Sequence, residues 1–263
     1  MKITTADSVL SNTIHEEPQL QGFDDLFASV KAELNFLRLP YFVTKKEAHK
    51  AVLELIETAE RNGTKRQIQW KVIVDPRIGL PGALERNLMF FILKCADESR
   101  PSVSGPVPEK INIGSLYSIC NTLGIPDDGR NIKRIKNAIE KLGTTQCISK
   151  GAFYNKATNE YEESGKAFTF LEEWGFRGES HNGSILETNY TVLHPLVRSN
   201  LDAFYVKTLD WHLLRSLHTE IAALIYPHLS CVFHGQRKDQ DYIELSYSWL
   251  AQRIGIKVLD KLR

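Results

Sequence analysis

The chain lacks any apolar run close to the roughly 18 to 20 residues that a membrane-spanning helix requires. Its first residues also lack the apolar core of a signal peptide. Cysteine is scarce: the four cysteines lie far apart and form no CxxC pair, which is typical of reduced thiols in a reducing compartment. We therefore expect a cytoplasmic protein with no membrane partner.

Enzyme signatures are missing as well. The sequence has no GxxxxGK[ST] phosphate loop, no GxSxG motif and no HExxH motif. It also lacks the His-x-His pair that a metal-dependent nicking nuclease would need. His228, Cys231 and His234 are three residues apart, but this spacing drifts by about 60° per step around a helix and supplies no fourth zinc ligand. We expect a protein that is not an enzyme and that binds no metal or cofactor.

Net charge is only +1, so a polyanionic partner would have to meet a local basic patch. Residues 129–156 form such a patch, with seven Lys or Arg and one acid, Glu140. Their first part, GRNIKRIKNAIEKLGTTQ, has apolar residues at helical spacing and basic residues on the opposite side. The apolar stripe is Ile132, Ile135, Ile139 and Leu142, and the other face carries Arg130, Lys133, Arg134, Asn137 and Lys141. The pattern predicts a helix with one buried face and one basic face.

The surrounding sequence predicts a helix-turn-helix followed by a wing. Ser115 should cap a helix that ends at Gly124, and a PDDG turn leads into the basic helix. A buried helix near residues 84–95 and a short strand at 111–113 precede this pair, and residues 146–171 are predicted to form the wing hairpin. In such a unit the second helix enters the major groove of DNA while the first braces it across the backbone.

The N-terminal part has a different pattern. Residues 1–40 are polar and of low periodicity, and we expect them to form a flexible arm. Thr44 and Glu47 make a capping-box pattern, which predicts a helix over residues 45–59. The alternating, β-rich residues 67–74 predict a strand after it.

An internal repeat extends the prediction to the C-terminal part. INIGSLYSICNTLGI at residues 111–125 recurs 131 residues later as YIELSYSWLAQRIGI, with the capping serine and the terminal Gly-Ile retained. We therefore expect an α+β protein of two tandem winged-helix units, each a helix-turn-helix plus a β-hairpin wing, the second incomplete because only KVLDKLR follows. Pro227 is expected to interrupt the helix that precedes the second unit's turn. The predicted divisions are 1–40 flexible N-terminal arm, 41–176 first winged-helix domain with an added N-terminal helix, 177–184 linker, and 185–263 second winged-helix domain, truncated in its recognition helix.

A set of motifs in fixed order resembles the RepA-type replication initiators of bacterial plasmids. The motifs are E-x-NFLRLP (33–40), KVIVD (71–75), GLPGALERNL (79–88), LGIPDDGRNIKRIKNAIEKL (123–142), FTFLEEW (168–174), FYVKTLD (204–210) and SWLAQRIGI (248–256). The resemblance covers nearly the whole chain. It implies a protein that binds repeats in double-stranded DNA at a plasmid origin, helps open the duplex and recruits host initiator and helicase proteins. It also implies a homodimer whose conversion to monomer regulates activity.

The candidate DNA contacts follow from these patterns. Arginine on the first turns of the basic helix can pair with guanine and Asn137 with adenine, whereas flanking lysines would hold phosphates. The full set is Arg130, Asn131, Lys133, Arg134, Lys136, Asn137, Lys141, Lys150, Lys156, Lys257 and Lys261. Three alternatives stay open. In the first, the chain is a winged-helix transcriptional regulator. In the second, it is a protein-interaction module whose basic helix is merely solvated. The third concerns Phe153, Tyr154 and Tyr161, which either stack on bases of a melted strand or pack the hairpin.

Overall fold

The computed structural model describes residues 29–61, 64–181, 183–234 and 244–256, which contain both helices and strands. In chain order the elements are β1 (Ser29–Glu33), α1 (Leu34–Arg38), β2 (Val52–Arg61), β3 (Thr64–Ile73), α2 (Ala83–Glu98), β4 (Ile111–Asn112), α3 (Leu116–Leu123), α4 (Gly129–Thr144), β5 (Gln146–Lys150), β6 (Tyr154–Asn155), β7 (Glu160–Tyr161), β8 (Ala167–Phe168), β9 (Leu171–Gly175), β10 (Ser180–His181), β11 (Ser184–Ile185), β12 (Tyr190–Leu193), α5 (Pro195–Asp202), β13 (Val206–Asp210), α6 (Trp211–Ser216), α7 (Glu220–His234) and α8 (Tyr247–Arg253). The predicted α+β class is confirmed. No helix within the described ranges has the length and apolar composition that crossing a bilayer requires.

The core lies between an antiparallel four-stranded sheet and the central helix α2. The sheet has the strand order β2-β3-β5-β8, and its inward face carries Leu55, Trp70 and Ser149 in register, all buried. Helix α2 is buried along most of its length and packs against β1 and α4. A second sheet, of order β4-β12-β9, lies beside α4 through its strand β9. The predicted strand at 67–74 and helix at 84–95 are thus present as β3 and α2.

The helix predicted over residues 45–59 is wrong. The Thr44 carbonyl accepts a hydrogen bond from the Glu47 amide (2.9 Å), so the capping-box pair closes a single turn. From Val52 onward the chain is strand β2, paired with β3 along its whole length. Residues 52–57 also alternate, and pairing with β3 turns Leu53 and Leu55 toward the core while Ile56 stays 50% exposed. The backbone hydrogen bonds between β2 and β3 therefore determine the structure of this segment, although the spacing of its apolar residues also fits a helix.

The prediction of a flexible arm is wrong for residues 29–40. Strand β1 pairs antiparallel with β13, from Ser29 opposite Asp210 to Glu33 opposite Val206, and its Val30 and Ala32 side chains are buried. Residues 1–28 lie outside the described ranges. This pairing joins the predicted arm to the predicted second domain, and side chains of both predicted domains share one hydrophobic cluster. The boundary at 177–184 therefore does not coincide with a break in the core.

The wing prediction is also corrected. Strands β5 and β8 do pair, but they extend the four-stranded sheet that begins with β2 and β3. The strand that follows this region, β9, pairs instead with β12, which pairs with β4. Residues 177–184, predicted as a linker, hold strand β10 and the start of β11, which form a hairpin between β9 and β12. The hairpin beside α4 is therefore this later one.

Helix α7 continues through Pro227, contrary to the predicted interruption. Proline removes one backbone donor, but Leu224, Pro227 and His228 are all buried, so packing holds the helix together at this point. Burial lowers the pKa of His228 to about 4, and its Nε2 lies 2.8 Å from the Arg253 carbonyl oxygen on α8. Its ring thus joins α7 to α8. Within the described part of the chain no three His, Cys, Asp or Glu side chains are grouped to hold a metal.

A buried polar network fixes the short hairpin β6–β7 to the rest of the fold. The Asn35 side chain accepts a hydrogen bond from the Tyr154 amide (2.9 Å), and its Nδ2 donates to the Tyr154 carbonyl (2.8 Å). Asn200 on α5 donates to the same carbonyl (2.8 Å). Both asparagines also donate to the carboxylate of Glu33, which is fully buried. The hairpin is thereby held by side chains from two different helices.

Glu33 should make folding stability depend on pH. Burial raises its pKa from 4.5 to about 7, against the hydrogen bonds that favour the charged form. Since the pKa is higher in the folded protein, its contribution is complete below pH 4.5 and is lost as the pH rises through about 7. We expect the free energy of unfolding of the wild type, relative to Glu33→Gln, to fall by about 3 kcal/mol across that window. Urea denaturation at a series of pH values measures this difference, and a constant difference would contradict the assignment.

Candidate nucleic-acid interface

The turn between α3 and α4 is built by three local signals in the sequence. Ser115 caps α3 by accepting a hydrogen bond from the Ser118 amide (3.0 Å), and Gly124 ends it in the left-handed region at φ 67°. Asp128 then caps α4 by accepting from the Asn131 amide (2.8 Å). These signals confirm the predicted pair of helices. They also fix the residue at which the basic face of α4 begins.

Helix α4 has the two faces that the sequence predicts. Ile135, Ala138, Ile139 and Leu142 are buried, and Ile132 is half-buried. The opposite face exposes Arg130, Lys133, Arg134, Asn137 and Glu140. Three of the four basic residues in the first two turns are therefore directed to solvent, and a single acid follows them.

Asn131 is placed differently from the prediction that it contacts DNA. Its side chain is only 6% exposed, and its Oδ1 accepts a hydrogen bond from the Arg134 Nη1 (2.7 Å). The amide therefore orients the guanidinium of Arg134 and is itself turned away from solvent. We assign Asn131 as a positioning residue and Arg134 as the group that it presents.

Two predicted phosphate ligands have protein partners. Lys136 Nζ lies 2.8 Å from Glu179 Oε1 and 4.5 Å from the ring centroid of Phe176. Lys141 Nζ lies 3.6 Å from Glu85 Oε1, and these two side chains are only 14% and 13% exposed. Glu85 also accepts from the Gly82 amide (2.7 Å) at the start of α2. Lys141 therefore connects α4 to α2, and its assignment as a phosphate contact is not supported.

The remaining predicted lysines lie elsewhere. Lys150 ends β5 and Lys156 follows β6. Both are exposed, and neither belongs to the β10–β11 hairpin beside α4. The Lys156 amide donates to Asn200 Oδ1 (2.7 Å), which fixes its backbone to α5. Lys257 and Lys261 lie outside the described residues.

The β10–β11 hairpin beside α4 was not predicted from the sequence. Strand β9 approaches α4 so closely that a Cβ atom on Gly143 would lie 2.0 Å from Cζ3 of Trp174. After β9, Arg177 is exposed, and Glu179 forms the ion pair with Lys136. The Asn-Gly dipeptide at 182–183 is a strong hairpin signal that could have identified it. The segment between β9 and β10 thus carries one exposed arginine, two residues before the partner of Lys136.

The Lys136–Glu179 pair predicts an effect on any anion that approaches α4. Both side chains are partly exposed, at 31% and 51%, so a polyanion would compete with Glu179 for Lys136. We expect Glu179→Gln to strengthen duplex DNA binding about two- to fivefold at low salt, since an exposed pair of this kind contributes little to stability. Fluorescence anisotropy with a labelled duplex measures the change, with Glu187→Gln on the same hairpin as a charge-matched control. Equal effects of the two substitutions would show that only net charge matters.

The internal repeat has a structural counterpart. Ser246 caps α8 by accepting from the Trp249 amide (3.2 Å), as Ser115 caps α3. Gly255 follows α8 at φ 68°, and the Ile256 amide donates to the Ala251 carbonyl (2.9 Å). The Ile125 amide donates in the same way to the Cys120 carbonyl (3.0 Å). The two segments therefore share a cap, a helix and a left-handed glycine at matched positions.

Comparison with protein-family models and with curated proteins finds no match. Among solved structures, the chain is similar to a crystal structure of domains 2 and 3 of RctB, solved from selenomethionine derivatives, with 15% identity and a TM-score of 0.45 over 75% of this chain and 70% of that one. A second crystal structure of RctB domains 2-3 matches with 13% identity and a TM-score of 0.43 over 77% and 70%. At these values we infer function from this chain's own residues.

Proposed function

We propose that this protein is a sequence-specific DNA-binding initiator of plasmid replication, with α4 as the helix that enters the major groove. The observation that carries the proposal is the outer face of α4. Arg130, Lys133 and Arg134 are exposed on its first two turns, and none has a carboxylate partner among the described residues. Uncompensated cations on one face of a well-packed helix match the spaced phosphates and base edges of a duplex.

In this proposal α2, β4, α3, α4, β9 and β12 form a winged-helix unit, and the β10–β11 hairpin is its wing. The order of helix, short strand, two helices and two strands joined by a hairpin supports this assignment. Helix α3 would brace α4 across the DNA backbone. The matched caps of α3 and α8 support a second, tandem unit that begins at α7.

The proposed contacts have separate roles. Arg134, oriented by Asn131, would donate to a guanine edge, and Asn137 one turn later would pair with adenine. Arg130, Lys133 and the wing residue Arg177 would hold phosphates on either side. Opening of the duplex would draw on binding energy, since bending a site of about 20 to 30 base pairs costs about 1 to 6 kcal/mol. The ordered motifs that resemble RepA-type initiators support replication as the process served.

A titration of the purified chain tests DNA binding. The probe is labelled DNA from around its own gene, with a scrambled duplex as control, at two salt concentrations. We expect tight, sequence-selective binding that weakens steeply with salt, because several phosphates displace counterions. No binding to either duplex would exclude the proposal and favour a protein-interaction module.

A replication assay then distinguishes an initiator from a transcriptional regulator of the same fold. A plasmid that lacks its own origin carries the gene together with the repeats that flank it. An initiator supports replication of that plasmid, and alanine at Arg134 abolishes it. A chain that binds the repeats but supports no replication is a regulator.

A further inference from the structure

A cavity of about 370 Å³ has walls from α1, β2, β3, the β6–β7 hairpin, α7 and α8. Four aromatic residues and two arginines dominate its lining: Tyr154, Tyr161, Tyr205, Trp249, Arg38 and Arg253. Its volume falls in the roughly 300 to 1,000 Å³ range of small-ligand sites. No residue of α3 or α4 contributes to it.

Three tyrosine rings, here called the tyrosine platform, lie together at one side of this cavity, with planes inclined by 53° between Tyr154 and Tyr161 and by 60° between Tyr154 and Tyr205. The ring centroids of Tyr154 and Tyr161 are 4.9 Å apart, and those of Tyr154 and Tyr205 are 5.2 Å apart. Tyr161 is 37% exposed. Phe153, which directly precedes Tyr154 in sequence, is fully buried and stacks on Trp70 in the core. The structure therefore separates the aromatic residues of this region into a core residue, Phe153, and a group of tyrosines that line the cavity.

The backbone of Tyr154, at the centre of the tyrosine platform, is fixed before any ligand arrives. The backbone of Tyr154 is bonded at both its amide and its carbonyl by Asn35, and Asn200 adds a second bond to the carbonyl. Buried Glu33 holds both asparagines in turn. A preorganised aromatic surface loses little conformational entropy when a flat ligand stacks on it.

The charge of the cavity favours an anion. Arg253 pairs with Glu57 and stacks on Trp249, with its guanidinium carbon 5.2 Å from the ring centroid, so its charge is balanced. Arg38 donates to the Tyr205 hydroxyl (3.1 Å) and has no carboxylate partner within the described ranges. One unbalanced arginine therefore stands beside the tyrosine platform. Arginine next to aromatic rings is the combination that binds a phosphate together with a stacked base.

We propose that this cavity binds a single unpaired nucleotide, with its base stacked on Tyr161 and its phosphate at Arg38. The nucleotide comes either from a free mononucleotide or from a single strand of DNA. The site goes beyond duplex binding by α4 and uses none of its residues. An initiator that opens a duplex would thereby hold the strand that it releases on a different surface.

The test measures single-strand binding by the full chain with a fluorescein-labelled oligothymidylate of about ten nucleotides, a length within the range covered by single-strand sites. Tyr161→Ala should weaken binding about 5- to 150-fold, while Tyr161→Phe keeps the ring and stays within about twofold of the wild type. Arg38→Gln should reduce the dependence of binding on salt. Duplex affinity, measured in parallel, should be unchanged in all three variants. An unchanged thermal unfolding temperature confirms that each is folded.

Thymidine 5′-monophosphate as competitor distinguishes the two sources. Displacement of the oligonucleotide by the mononucleotide, lost in Tyr161→Ala, assigns the site to free nucleotides; binding of the oligonucleotide alone assigns it to a strand. The proposal is overturned if folded Tyr161→Ala binds both probes like the wild type. It is also overturned if Arg134→Ala removes oligonucleotide binding as fully as duplex binding, since the strand would then lie on α4. A wild type that binds the oligonucleotide but no duplex would instead overturn the proposed function alone.

Discussion

Replacing Arg134 by alanine is expected to weaken binding to the target duplex by about 1 to 3 kcal/mol, or roughly 5- to 150-fold, without unfolding the chain. The guanidinium is exposed, and its one hydrogen bond within the described residues, to Asn131, sets its direction. Removal of the group would delete the two donors that we propose contact a guanine edge and would leave the packed face of α4 intact. Anisotropy titrations with target and scrambled duplexes measure the loss.

The size of that loss should depend on the sequence of the probe. A base contact reduces affinity for the target more than for the scrambled duplex, whereas a phosphate contact reduces both equally. Lys166→Ala removes the same charge from an exposed residue just before β8 and is the matched control. Equal losses for Arg134→Ala and Lys166→Ala would refute a specific role for α4. Asn131→Ala should reproduce part of the Arg134 effect, because it releases the guanidinium that it orients.

Replacing Ile135 by alanine is expected to lower the free energy of unfolding by roughly 2 to 4 kcal/mol. Ile135 is fully buried on the inner face of α4, so truncation leaves a cavity between α4 and the rest of the core. Guanidinium denaturation measures the change. Lys133→Ala, two residues earlier on the exposed face, should alter stability by no more than about 0.5 kcal/mol. If both substitutions destabilise alike, the assignment of the two faces is wrong.

Helix caps, turn glycines and apolar spacing explain which elements were predicted correctly from the sequence. The cap at Ser115 and the left-handed Gly124 each act within four residues, and both are present as expected; the turn predicted at PDDG supplies Asp128 as the cap of α4. The buried and exposed faces of α4 follow from the 3.6-residue period alone. The same local chemistry made the repeat at Ser246 and Gly255 recognisable. Structure that depends on residues within one or two helical turns can therefore be predicted from the sequence alone.

Partners that are distant in sequence explain what was missed. Residues 52–57 satisfy both a helical and an alternating pattern, and only pairing with β3 selects the strand. The β10–β11 hairpin could be predicted only by knowing that β9 pairs with β12, which in turn pairs with β4, and not with the strands that precede it. Spacing could not reveal that Lys141 meets Glu85 on α2 or that Lys136 meets Glu179, 43 residues further along. The basic face of α4 was therefore predicted correctly, whereas the protein partners of Lys136 and Lys141 were not predicted.

The pairing of β1 with β13 has a consequence for synthesis of the protein on the ribosome. The two strands join residues 29–33 to residues 206–210, so β1 leaves the ribosome long before its partner exists. At about 5 to 20 residues per second, the intervening chain takes roughly 10 to 35 s to make. During that interval the backbone groups of β1 that pair with β13 in the finished fold have no partner, and the strand carries Val30 and Ala32, which are buried in the finished fold. The nascent chain therefore carries an open strand edge until translation has passed Asp210, and this is the period in which a chaperone that binds extended apolar segments would protect it.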